Sequence, residues 1–157
     1  MKILITGING FVGPYLKEHL ESENNEVIGT DISKGEIVDH QLDLTNKEKV
    51  NELIKNTKPE AIIHLAAQSS VKLSWDDPEL TKKINVEGTK NLLDACINNN
   101  LKPTILIVSS ADVYGIPKKL PLQETTELKP VSPYGKSRLE QEQLTKNYKL
   151  PIIIARS

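Results

Sequence analysis

A chain of 157 residues with 38% hydrophobic and 26% charged residues has the composition of a soluble globular domain, not of a disordered one. Its formal net charge of −1 offers no electrostatic basis for gripping nucleic acid or an anionic membrane. No apolar stretch reaches membrane-spanning length and the N-terminus enters strand-like sequence directly, so neither a span nor a signal peptide is expected and the cytoplasm is the default location.

Residues 2–5 are short, apolar and rich in β-branched side chains, the composition of a strand buried on both faces. They run into Gly7, Gly10 and Gly13 at even spacing, followed by an amphipathic helical run through Leu16 and Leu20. Such an arrangement cradles phosphate. The main chain can approach an anion where no Cβ intervenes, and the helix start presents unpaired N–H groups and a positive dipole end. Pro14 suits the first helical turn, where a missing N–H costs nothing. Residues 27–31 form a second strand ending on Asp31, roughly twenty residues beyond the glycines. A carboxylate there can accept both hydroxyls of an adenosine ribose and would repel a 2′-phosphate. A turn aspartate after an ordinary strand is the plainer alternative.

A turn at Ser33-Lys34-Gly35 leads to residues 36–38 and 41–44. Thr45 reads as a helix N-cap, with Glu48 completing a capping box for a helix to about Asn56. Residues 61–65 are a third buried strand, ending in Ala66-Ala67. A longer helical pattern covers residues 78–98, with Val86, Leu92, Leu93 and Cys96 inward and Asn98-Asn99-Asn100 at its end. Cys96, the only cysteine, has no disulfide partner in the chain and reads as a buried helical thiol. Residues 104–108 are the next strand, followed by Ser109-Ser110. A proline-punctuated loop spans residues 115–133, a charged helix residues 134–148, and residues 151–155 begin one more strand. The predicted class is α/β, a Rossmann-like doubly wound parallel sheet with helices on both faces, in one domain over residues 1–157.

Ligands in such sheets gather at the carboxyl ends of the strands, where strand order reverses. Three polar features land there: Ala66-Ala67-Gln68-Ser69-Ser70, Ser109-Ser110-Ala111-Asp112-Val113-Tyr114, and the helix start carrying Tyr134. Two hydroxyls, of Ser110 and Tyr134, converging beside a nicotinamide can polarise a carbonyl and deliver a proton while hydride arrives. Arg138, at i+4 from Tyr134, lies on the same helix face, where a cation favours the phenolate. Taken singly the residues have plainer readings: Tyr134 in packing, Ser110 ending a strand, Arg138 with Glu142 on a solvated face. No metal site is read.

With these residues in view, the chain resembles the N-terminal part of an extended short-chain dehydrogenase/reductase acting on nucleotide sugars. Thr6-Gly7-Ile8-Asn9-Gly10-Phe11-Val12-Gly13 is similar to that family's cofactor loop, and Asp43-Leu44 to its adenine-contacting pair. His64-Leu65-Ala66-Ala67 is similar to the stretch lining the nicotinamide ribose, residues 85–93 to the helix signature, and Ser110 with Tyr134 to the catalytic pair. Gln68-Ser69-Ser70-Val71 with Ser74-Trp75, and Leu120-Pro121-Leu122 with residues 130–135, look most like GDP-4-keto-6-deoxy-mannose reductases and their GDP-mannose dehydratase relatives.

The resemblance implies NAD or NADP as cofactor, NADH being favoured by Asp31, and a nucleotide-sugar substrate met by Gln68, Ser69 and Ser110. It implies catalysis by Ser110, Tyr134, Arg138 and Asp112, with Tyr134 and Arg138 also touching the cofactor. It further implies a homodimer through the helices at residues 86–98 and 134–148, and a substrate-binding part beyond these residues. Two departures stand out. Arg138 replaces the family's usual lysine, keeping the charge on a planar fork. Dehydratases resemble Ser/Thr, then an acid or small polar residue, then a Glu that takes a ring proton, where this chain has Ser110-Ala111-Asp112. Alanine cannot protonate a leaving hydroxyl, and aspartate reaches one methylene less far. Keto reduction needs neither, which points to a reductase of a nucleotide-linked 4-keto-6-deoxyhexose. A dehydratase or 4-epimerase, or a non-catalytic dinucleotide-binding module, are the alternatives.

Overall fold

Ile3, Leu4 and Ile5 sit at the middle of β1 (Lys2–Thr6), and all three are buried because helices cover both faces of this strand. In the computed structural model, which describes residues 1–117 and 119–157, five more strands complete a parallel sheet. They are β2 (Glu26–Asp31), β3 (His40–Gln41), β4 (Ala61–His64), β5 (Thr104–Ser109) and β6 (Ile152–Arg156). The order is β3-β2-β1-β4-β5-β6, the doubly wound Rossmann arrangement expected from the sequence. Register aligns apolar rows across it: Leu4 pairs with Ile28 and Ile62, and Ile62 with Ile105.

The helices are α1 (Gly13–Ser22), α2 (Lys47–Thr57), α3 (Val71–Asp76), α4 (Pro78–Lys82), α5 (Gly88–Asn98) and α6 (Pro133–Thr145). Successive strand residues point to opposite faces, so β1 feeds two cores. Leu4, Ile62, Ile105 and Ile107 pack with Leu53 and Ile54 of α2 and with Leu92, Leu93 and Cys96 of α5. Ile3, Ile5, Ile8 and Val27 pack with Leu16 and Leu20 of α1. Burying each such side chain contributes about 1.5–3 kcal/mol. Burial also pushes the Cys96 thiol up to about 12. β6 forms one edge of the sheet, and its Ile153 remains 55% exposed. No helix among the described residues is long and apolar enough to cross a membrane.

Three predicted elements differ. The cap of α2 is Asn46, whose side chain accepts from Lys49 N at 3.0 Å. Thr45 is held in the preceding turn, where its N–H donates to Asp43 Oδ1 at 2.8 Å, so Glu48 falls one residue short of a capping box. The helical stretch at residues 78–98 is not uniform: α4 passes through a π-helical turn (Lys83–Glu87) into α5. Before it lies the unpredicted α3, capped by Ser70, and Asp77 then caps α4 ahead of Pro78. After β5 an unpredicted 3₁₀ turn (Ala111–Tyr114) precedes the predicted loop. The predicted loop at residues 115–133 is irregular apart from its last residue, Pro133, which opens α6; its residue 118 lies outside the described residues.

Candidate active site

β1 and β4 lie at the point where the strand order turns back, and their carboxyl ends open onto a cavity of about 780 Å³. The glycine loop forms its floor. Gly7 has φ +72°, and a Cβ there would lie 2.6 Å from Ala66 N, so the loop rests directly on the chain leaving β4. Val12, the N-cap of α1, contributes no side-chain cap, and the Phe11 and Val12 N–H groups have no protein acceptor among the described residues. Unpaired main-chain donors at a helix start suit a dinucleotide pyrophosphate.

Asp31 stands at the end of β2 on the same cavity wall. Its Oδ2 accepts from Asn9 N at 3.1 Å, and its Oδ1 from Ser33 N at 3.0 Å and Ser33 Oγ at 2.8 Å. Asp43 and Leu44 line the far end, where Leu44 lies against Gly88 of α5. Leu65, Ala66 and Ala67 line the middle with Gln68 and Ser69. The Gln68 amide is committed inward: it donates to Thr81 Oγ1 at 2.8 Å and Ser70 O at 3.0 Å, and accepts from Ser70 N. Asn85 clamps the same residue through both main-chain groups. Gln68 thus holds the loop in addition to lining the cavity, and Ser69 beside it is exposed.

Ser110, Asp112, Tyr134 and Arg138 gather at the corner between β5 and α6, next to Val108 of the cavity wall. Ser110 caps the 3₁₀ turn, its Oγ accepting from Asp112 N at 3.2 Å. Gly135 packs on this turn so closely that a Cβ would lie 2.7 Å from Asp112 O, which brings Ser110 and Asp112 beside the first turn of α6. No hydrogen bond joins Ser110 to Tyr134 among the described residues. Arg138 Nε donates to the Tyr134 phenol oxygen at 3.2 Å, and both residues are buried. The solvated-face alternative for Arg138 and Glu142 therefore fails. Glu142 is also buried, pairing with Arg156 of β6 at 2.7 Å and accepting from Ser109 Oγ at 2.6 Å.

Arg138 is in turn fixed by a chain of side chains that sequence reading missed. Its Nη1 donates to Val108 O at 3.2 Å and Gln141 Oε1 at 3.0 Å, and Gln141 Nε2 donates to Thr89 Oγ1 at 2.7 Å. Thr89 gives its own proton to Asn85 O, so His64 Nε2, 2.8 Å from Thr89 Oγ1, must donate. His64 Nδ1 then accepts from Thr6 Oγ1 at 2.7 Å, and Thr6 accepts from Ala66 N. This assigns one neutral tautomer. It agrees with a His64 pKa pushed down to about 3, by burial first and by the Arg138 charge second. Ser33, Leu80, Lys83 and Ile84 also line the cavity without having been singled out; only Ser33, two residues after Asp31, carried a local signal, that of an Asx turn. No group of three or more metal-ligating side chains converges among the described residues.

The sequence profile of the family described as GDP-mannose 4,6 dehydratase matches residues 4–152. The chain belongs to this family. Among relatives, the chain is 34% identical to a UDP-glucose 4-epimerase of Lactobacillus helveticus over 92% of its own length and 46% of the relative's. It is 34% identical to a GDP-6-deoxy-D-mannose reductase of Pseudomonas aeruginosa over 91% of its length and 45% of the relative's. Among solved structures, the UDP-glucose 4-epimerase of Brucella ovis in complex with NAD superposes with a TM-score of 0.91 at 29% identity, over 99% of this chain and 51% of that one. The chain thus spans about half the length of the curated relatives it matches. Relatives with different reaction names thus stand at the same level of identity to this chain.

Proposed function

We propose that the chain is the dinucleotide-binding and catalytic part of an NAD(P)-dependent oxidoreductase that reduces the 4-keto group of a nucleotide-linked 6-deoxyhexose. The observation that carries this reading is the buried hydrogen bond from Arg138 Nε to the Tyr134 phenol, one turn of α6 from Ser110 and its 3₁₀ turn. The N–H groups at Phe11 and Val12 take the pyrophosphate, Asp31 the adenosine ribose, and Asp43-Leu44 the adenine. When bound, the cofactor supplies hydride. Ser110 polarises the keto oxygen, Tyr134 gives that oxygen its proton, and Arg138 stabilises the phenolate left behind. Asp112 is too short and Ala111 too inert for the two proton transfers of a dehydration, which supports reduction. A homodimer through α5 and α6 belongs to the same reading, supported by Ile97, 45% exposed on α5.

The test is a titration of the chain with NADH and NADPH, followed by nicotinamide fluorescence. GDP-4-keto-6-deoxy-mannose is then added to a protein of the relatives' length carrying these residues. NADH binding followed by its oxidation is expected. Failure to bind either nucleotide overturns the reading, and binding without oxidation leaves a dinucleotide-binding module. The likeness to two UDP-glucose 4-epimerases supports a second reading, 4-epimerisation of a UDP-sugar. It would appear as sugar interconversion with no net consumption of NADH.

A further inference from the structure

The glycine loop and the turn after β2 are joined by more than Asp31. Asn9 Nδ2 reaches across to Ser33 Oγ at 3.1 Å, Ser33 O at 3.3 Å and Lys34 O at 3.3 Å. Ser33 Oγ, which accepts from Asn9, gives its one proton to Asp31 Oδ1, while Asn9 N donates to Asp31 Oδ2. Asn9, Asp31 and Ser33 therefore form a closed ring of hydrogen bonds, with the two Asn9 amide protons shared among three acceptors. Gly35 seals it. A Cβ at Gly35 would collide with Asn9 Oδ1 and lie 2.8 Å from Nδ2, so the turn at residues 33–35 presses directly on the Asn9 amide.

We propose that Asn9 is a positioning residue for nucleotide preference, its side chain clasping residues 33–35 onto the glycine loop so that Asp31 is held rigid against the adenosine ribose. The proposal rests on the dinucleotide reading above. With Oδ1 accepting twice and Oδ2 once, the carboxylate is fixed from two sides and presents its remaining Oδ2 lone pair to a ribose hydroxyl in a set direction. A 2′-phosphate is larger and charged, and needs the turn to swing away from Asp31. The clasp prevents that movement by geometry, in addition to the repulsion from Asp31. The amide does this without touching the cofactor itself.

The test uses the 157-residue chain in wild-type, Asn9→Ala, Gly35→Ala and doubly substituted forms, with NADH and NADPH dissociation constants measured by fluorescence. Asn9→Ala should narrow the preference for NADH about five- to tenfold, the scale of one neutral hydrogen bond lost. Gly35→Ala should weaken NADH binding in the wild-type background and have little further effect once Asn9 is alanine, because the obstructing amide is gone. In the free protein, hydrogen exchange at the Ser33 amide should quicken in Asn9→Ala, while the β1 amides hold and report an intact fold. An unchanged NADH-to-NADPH ratio in Asn9→Ala, beside a collapsed ratio in Asp31→Asn, would overturn the clasp and leave the dinucleotide reading standing. Wild-type chain that binds neither nucleotide would overturn both.

Discussion

At the glycine loop the groups offered to a ligand are main-chain N–H groups of residues as open as Phe11, 87% exposed, whereas at the β5–α6 corner they are side chains, half-buried at Ser110 and Asp112 and buried at Tyr134, which is only 7% exposed. Apart from Asn9, the loop can exchange side chains freely, since its donors belong to the backbone, and it fails where an added Cβ meets neighbouring main chain. The corner behaves in the opposite way. Its groups hold one another in a single arrangement, so every deleted partner leaves a buried donor or acceptor unmatched.

The largest effect should come from Gly7→Val, which sets a β-branched residue at φ +72° against Ala66 N. Urea unfolding should record a loss of at least about 3 kcal/mol, and NADH binding should disappear. A tolerated valine would show that the loop is not pressed onto β4. Tyr134→Phe comes next, in a protein of the relatives' length carrying this chain. Turnover should fall by about two decades or more while NADH affinity barely moves, because the phenol serves chemistry more than binding. Arg138→Lys sharpens that experiment: if charge alone matters, activity should survive with a shifted pH profile.

The third prediction concerns acid. His64 is neutral in the fold, with its pKa pushed down to about 3 from 6.5, so the unfolded chain binds more protons between those values. Stability should therefore be full above about 6.5 and drain away as pH falls toward 3, as read from unfolding curves at stepped pH. His64→Gln should flatten the curve over that window; an equally steep curve would place the acid sensitivity elsewhere. The smallest effect is at the open end. Asp31→Ala should weaken NADH about tenfold and NADPH much less, one or two charge-assisted hydrogen bonds being lost for the first only. Equal losses would remove the ribose assignment.

The same contrast governs what the sequence made legible. The glycines, Asp31 and the apolar strands stand in local patterns, and their places in the sheet follow from neighbours a few residues away. Tyr134 and Arg138 were legible as a pair because i+4 spacing is also local. Gln141, at i+3 from Arg138, shares that local spacing, but the partners beyond it were not legible. Gln141 meets Thr89 from 52 residues away and His64 meets Thr6 from 58, distances over which no periodicity carries information. Nor were the inward partners of Gln68, Ser70 and Thr81, legible, because a polar residue at a strand end looks free from its neighbours alone. Thr45 misled because Asp43 captures its N–H, a local competition that leaves the cap to Asn46.

The π-helical turn at Lys83–Glu87 divides one rod into two faces. A single additional residue in a helix rotates everything beyond it by about 100°. Leu80, Lys83 and Ile84 can therefore look onto the cavity while Leu92, Leu93 and Cys96, further along the same rod, face the sheet. Shortening the turn by one residue would restore an unbroken α-helix and leave either the cavity wall or the core facing the wrong way. The turn's own Asn85 would go with it, releasing its hold on Gln68 and on Ser137 of α6. Among homologues, then, this stretch should accept changes of letter far more readily than changes of length.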